Sequence, residues 1–218
     1  MLKLNIQDET SRLKTVVLGT ALSSGPVPKP EEAYDPKSLE HILAGTYPAE
    51  ADMVAEMQAF ERVLKKHNVE VIRPRVMENI YLIFSRDIAF VIDDILVKSN
   101  ILPDREAEIH AIGEVLSQIA PDKILSTTPD VHFEGGDVML WNEYLFVGYY
   151  TGEDYQQQIT ARTNLKGVEF LSQHFPKRKV LAFDLIKSRN DARKNALHLD
   201  CVFQPVGIVN AIIYPEGF

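Results

Sequence analysis

Three stretches of this chain carry acids just ahead of apolar runs, two of them beside histidine: Phe84-Ser85-Arg86-Asp87, His132-Phe133-Glu134-Gly135-Gly136-Asp137 and His198-Leu199-Asp200. If the fold gathers them, Asp87, Glu134 and Asp200 surround a single site. Crowded carboxylates repel, so they must meet a cation or take up protons. A planar guanidinium presents five N–H donors in a fork that matches carboxylates in pairs. Each such charged hydrogen bond contributes about 1.5–3 kcal/mol net. The set therefore suits a guanidinium better than a phosphate or a sugar. Taken singly, each acid reads more readily as a turn or cap residue. His198 and Asp200 lie two apart on a predicted strand and so on one face. Histidine is the side chain suited to moving protons near neutrality, and a neighbouring carboxylate favours its charged form. A plain structural hydrogen bond is the alternative for that pair. Gly135 and Gly136 let backbone approach a ligand, with Asp137 bracing the loop. Phe84 has the right chemistry to stack on a flat cation, or to fill core. Arg105 and Arg162 follow the first and second clusters and are candidates for holding a substrate carboxylate. A different use of the same residues is a metal site from two H-x-[D/E] pairs, His132/Glu134 and His198/Asp200.

The elements that must position these residues repeat. Asp87-Ile-Ala-Phe-Val-Ile-Asp-Asp-Ile-Leu-Val97 aligns without a gap on Asp137-Val-Met-Leu-Trp-Asn-Glu-Tyr-Leu-Phe-Val147, fifty residues later. Each reads as a β-hairpin, two apolar runs about a polar turn. Each is followed by a helical pattern, over 106–119 and 155–174, and then by a short strand, over 123–125 and 179–183. A third copy starts at Asp200 and carries its second apolar run in the same register. Upstream, 14–19 and 69–72 read as strands. An amphipathic helix spans 50–67, with Met53, Val54, Met57, Phe60, Val63 and Leu64 at three- and four-residue spacing. Residues 20–48 hold five prolines and read as a surface loop or lid with a helical turn near 38–43. Units of this kind at a period of about fifty residues predict an α/β radial array of ββαβ modules. Its third module stops after the hairpin, so the expectation is one domain over 1–218 that is incomplete at its C-terminus. A shorter natural variant is the alternative.

Composition narrows the partners. The chain has 218 residues, 45% hydrophobic and 25% charged, enough for one sizeable core. A net charge of −8 speaks against nucleic acid or an anionic membrane and suits a small cation. No apolar run approaches the length of a membrane helix. One cysteine, Cys201, excludes an internal disulfide framework and fits a reducing, cytoplasmic setting. Assembly as a homo-oligomer is left open.

Taken together, Phe84–Asp87, Phe133–Asp137, Arg162–Asn164 and His198–Asp200 resemble, in order and rough spacing, the guanidine-modifying superfamily. That group holds arginine deiminases, amidinotransferases and dimethylarginine dimethylaminohydrolases, on the pentein-type α/β propeller. The H-x-D form is more similar to the deiminases and amidinotransferases. The resemblance implies a hydrolase or amidinotransferase acting on arginine or a related guanidino compound, without metal or organic cofactor. It implies that Asp87 and Asp200 clamp the guanidinium and that Glu134 orients it or supports His198. It assigns His198 to protonate the leaving amine and then to activate water or an acceptor amine. The family's cysteine nucleophile lies in the last module and has no counterpart in this chain. Cys201 follows Asp200 and, on a strand, is expected to face away from it and pack. A non-catalytic pentein that binds through its surface is the further alternative.

Overall fold

Apolar residues come in unbroken runs over 88–92, 95–97, 138–141 and 144–147, where the strands are largely covered on both faces. The computed structural model describes residues 1–218. The first strand pair is parallel, β1 (Thr15–Val17) beside β2 (Glu70–Ile72), and is joined through helices α1 (Pro36–Leu43) and α2 (Glu50–Lys66). Helix α3 (Ser85–Ile88) is one turn long and leads into the hairpin of β3 (Ala89–Ile92) and β4 (Ile95–Lys98); β5 (Ile124–Leu125) then adds parallel to β4. The second repeat follows the same plan, with hairpin β6 (Val138–Trp141) and β7 (Tyr144–Tyr149), helix α5 (Leu165–His174), and β8 (Lys179–Asp184) parallel to β7. The third repeat contributes the hairpin of β9 (Phe203–Val206) and β10 (Asn210–Ile213).

Successive side chains of a strand point to opposite faces, and here each face belongs to a different core. Val138 and Leu140 enter the core shared with Phe90, Ile92 and Val97 of the preceding sheet, beneath Leu171 of α5. Met139 and Phe146 point the other way, onto Leu185, Leu199 and Val202 at the third repeat. Leu96 likewise faces back, toward Ile112 and Val115, with Val17 and Ile72 packed alongside. Sheets that share cores pairwise in sequence order form an α/β array of the predicted radial kind, open rather than closed into a ring. No helix is long and apolar enough to cross a membrane.

Several expected elements differ. Residues predicted helical over 106–119 run instead as a tight three-residue-per-turn helix, Pro103–Ile112, before a single α turn, α4 (Gly113–Leu116). That geometry stacks positions i and i+3 and brings Arg105 onto Glu108. Of 155–174 only Leu165–His174 is helical, because Asn164 caps it: its side chain accepts from the Gly167 amide at 2.9 Å. The 20–48 stretch contains a full helix, α1, whose cap Asp35 accepts from the amides of Lys37 and Ser38. The third hairpin does not keep the register of the others. Its connection has three residues, with Gly207 in the left-handed region (φ 65°), so Ile208 and Val209 fall in the turn and the second strand starts at Asn210.

Candidate active site

Each hairpin is entered through a short helical turn: Ser85–Ile88, Gly135–Asp137 and Leu199–Cys201. The first turn packs on the second and the second on the third. Residues far apart in sequence therefore meet at the strand starts. Carboxylate oxygens of Asp87 and Glu134 and a ring nitrogen of His198 all lie within 4.8 Å of one another, and all three residues are buried.

Glu134 is the centre of this cluster and is fully buried. Its Oε2 meets Nε2 of His198 at 2.8 Å, Nη1 of Arg162 at 3.1 Å and Nη1 of Arg105 at 3.3 Å. Burial opposes its ionisation, yet Arg162, His198 and Arg105 hold it well below the usual carboxylate range. Burial likewise opposes charge on His198, but Asp87, the Glu134 hydrogen bond and Asp137 outweigh it and raise the imidazole to about 9. At neutral pH His198 is thus an imidazolium, a proton donor.

The glycines allow close packing around it. A Cβ on Gly136 would stand 2.8 Å from Cγ of the His198 ring, and one on Gly135 would strike the Arg86 carbonyl. Asp137, also fully buried, accepts from Thr163 Oγ1 at 2.6 Å and from the Leu199 amide at 2.9 Å, so it ties the second repeat to the third. Arg162 spans inward from the loop ahead of α5, and its Nη2 reaches the Tyr34 carbonyl of the 20–48 stretch at 3.2 Å. Arg162, Thr163 and Asn164 thus each have a distinct partner: Glu134, Asp137 and the helix start.

Other predicted residues sit differently. His198 and Asp200 are not on a strand: His198 is extended and Asp200 lies in the helical turn after it. Asp200 is partly exposed and 4.0 Å from Nε of Arg86. Desolvation raises its pKa against the pull of His198 and Arg86. Cys201 does not face away from Asp200 as a strand would require, since its sulfur lies 3.7 Å from Asp200 Oδ1. Desolvation and the Asp200 carboxylate push the thiol up to about 11, the reverse of an activated nucleophile. Phe84 is half exposed, its ring 5.7 Å from that of Tyr81 rather than in the core. Arg162 is buried and Arg105 largely so, both in ion pairs with the acids, not standing free on the surface.

The two H-x-[D/E] pairs do not assemble. Both ring nitrogens of His132 are engaged elsewhere, Nδ1 on Asp154 at 2.8 Å and Nε2 on the Pro129 carbonyl at 2.8 Å. The set with metal-like spacing is Asp87, Glu134 and His198, and two guanidinium groups already occupy its carboxylates.

Four contributors carried no sequence assignment. Glu108 binds Arg105 through both carboxylate oxygens, at 2.7 and 3.0 Å. Thr163 holds Asp137. Arg86 donates to the carbonyls of Gly135 (3.0 Å) and Val138 (2.6 Å) and pairs with Glu9 of the N-terminal segment. Lys187 donates to the carbonyls of Ala196 and Leu197 at 2.7 and 2.8 Å, fixing the peptide that precedes His198; burial pushes its amine down to about 8. Thr163 and Arg86 stand inside the recognisable motifs, and Glu108 is three residues from Arg105. For Lys187 there was no signal.

No family model matches this chain. The uncharacterized protein YkgA of Bacillus subtilis is 29% identical over 158 residues, 71% of this chain and 48% of its own length. The chain therefore spans about half of the curated relative it matches. Among solved structures, SxtG, an amidinotransferase from Microseira wollei in the saxitoxin biosynthetic pathway, aligns with a TM-score of 0.72 at 17% identity, over 98% of this chain and 70% of that one. Inosamine-phosphate amidinotransferase from Streptomyces griseus aligns at 0.69 and 15%, over 100% and 70%. A dimethylarginine dimethylaminohydrolase aligns at 0.62 and 16%, over 93% and 69%. The chain has the fold these enzymes share, the pentein fold of the guanidine-modifying enzymes.

Proposed function

We propose that the Asp87–Glu134–His198 cluster binds the guanidinium of a small molecule, arginine or a relative, and serves a hydrolase or amidinotransferase. The observation that carries this reading is the convergence of two buried carboxylates and a charged imidazole within 4.8 Å. In this reading Asp87 and Glu134 accept N–H donors from the flat cation, with Asp200 at the open side beside Arg86. A thiolate attacks the central guanidinium carbon and forms the C–S bond of a thiouronium. The leaving amine departs with a proton from the His198 imidazolium, whose raised pKa keeps that proton available at neutral pH. The neutral imidazole left behind then takes a proton from water, or from an acceptor amine, as that nucleophile breaks the C–S bond. Cys201 is the one cysteine among the 218 residues, and its raised pKa makes it unsuited to attack. The reading therefore takes the thiolate from outside these residues.

Isothermal titration of arginine and agmatine into wild type and Asp87→Ala tests the pocket. Loss of at least about tenfold in affinity is expected on removing one charged acceptor. Equal affinity in both proteins refutes the reading.

A further inference from the structure

Asp87, the acid that the proposed function gives to the substrate, already has a guanidinium on it. Nη1 of Arg105 lies 3.1 Å from Asp87 Oδ2 and 3.3 Å from Glu134 Oε2, and no other side chain hydrogen-bonds the Asp87 carboxylate. The opposite edge of the same guanidinium, Nε and Nη2, is held by Glu108 at 2.7 and 3.0 Å. Arg105 and Glu108 sit three apart on the tight helix Pro103–Ile112, so their pairing is local to that segment. Anchor and contact are separable. Glu108 takes two nitrogens and the pocket takes one, so rotation of the guanidinium plane about its Nε–Nη2 edge is the motion that would part Nη1 from the acids with Glu108 still bound.

We propose that Arg105 is a specificity-determining residue, an internal occupant of the cation pocket that an incoming guanidinium displaces from Asp87 and Glu134 onto Glu108. The proposal rests on the cation-pocket reading above and adds to it a threshold for entry. The resident cation offers the pocket a single nitrogen. A primary ammonium also presents a single point of charge and gains little by replacing it. A guanidinium brings a two-nitrogen fork that matches paired carboxylates. An occupied pocket thereby selects guanidinium over ammonium, a discrimination that two bare acids would not supply. Apparent affinity falls by the fraction of time the pocket is free, so relief of the occupant tightens binding without any new contact.

The test is calorimetric titration of methylguanidinium and methylammonium into wild type, Asp87→Asn and the double variant Arg105→Met/Glu108→Gln. The double variant removes Arg105 together with its anchor, so Glu108 is not left as an unpaired buried charge, and it keeps similar side-chain length; Asp87 is the acid it frees for the added cation. Binding of methylguanidinium about tenfold tighter than wild type is expected, together with measurable binding of methylammonium, as for a site open about a tenth of the time in the wild type. Equal or weaker binding in the double variant, while Asp87→Asn still weakens wild type, overturns the internal occupant and leaves the cation pocket standing. If Asp87→Asn changes nothing, the pocket reading and this proposal fall together. A wild-type measurement guards against misfolding of the variant. On saturation with methylguanidinium the Arg105 Nη1 resonance moves while Nε and Nη2, held by Glu108, do not; a static Nη1 signal overturns the proposal.

Discussion

Glu134 has no solvent and three cationic partners, so its charge is matched within the protein. Replacing it by glutamine leaves two buried guanidinium groups and an imidazolium without that partner. Breaking a buried pair from one side costs about 3–5 kcal/mol. Glu134→Gln should therefore lower stability by that order in urea unfolding, and a change under about 1 kcal/mol would contradict the geometry. His198 gives a pH signature. Its folded pKa of about 9 lies above the ordinary value of 6.5. The imidazolium contribution is complete below about 6.5 and disappears as pH rises through about 9. Lys187 titrates in part of the same range with opposite sign, because its folded pKa of about 8 lies below its ordinary 10.5. The difference in unfolding free energy between wild type and His198→Gln isolates the histidine. That difference should shrink steadily from pH 6.5 to 9, and a flat profile would mean the imidazole is neutral in the folded protein.

At the scale of elements, the three helical turns before the hairpins decide whether distant motifs meet. Their closeness requires residues with no Cβ. Gly136 touches the His198 ring so closely that Gly136→Ala must push the imidazole off Glu134. Its His198 pKa, read by NMR, should drop from about 9 toward 6.5, and an unmoved value would show that the turn yields instead. The turns were not legible in the sequence. The acids at 87 and 137 mark the first two hairpin starts to within two residues, because apolar runs buried on both faces stand out as strands, whereas after Asp200 the strands begin only at Phe203 and Asn210. A three- or four-residue helical turn has no periodicity to detect, so the spacing of His198 and Asp200 suggests a strand where the chain makes a turn. For the same reason the pattern over 106–119 suggests a more regular helix than the chain forms. Apolar spacing there fits an α-helix, but Pro103 at its start and the Arg105–Glu108 pairing favour the tighter winding. Helix α2 was readable nearly to the residue, since a long amphipathic stripe is the strongest local signal.

For the molecule as a whole, the repeat was the most legible feature, and it led to the fold; the solved structures it resembles share little identity with it. What a repeat cannot convey is which outward face lacks a neighbour. Residues Ile208, Val209 and Ile212 of the third hairpin are 74%, 78% and 69% exposed, an apolar patch of the kind that mediates association. The 218-residue chain should self-associate with concentration in sedimentation velocity, and Val209→Lys/Ile212→Lys should reduce it. Identical profiles would show the patch is inert. Arg86 links these modules. Its one guanidinium touches the N-terminal Glu9, two carbonyls of the second repeat and the neighbourhood of Asp200 in the third. Stacked units that touch only their neighbours come apart piecemeal. A shared cation spanning them instead makes melting concerted. With Arg86→Leu, amide protons of 203–213 should exchange with deuterium well before those of α5, so that loss of one side chain turns a single cooperative transition into a sequential fraying from the C-terminal hairpin inward.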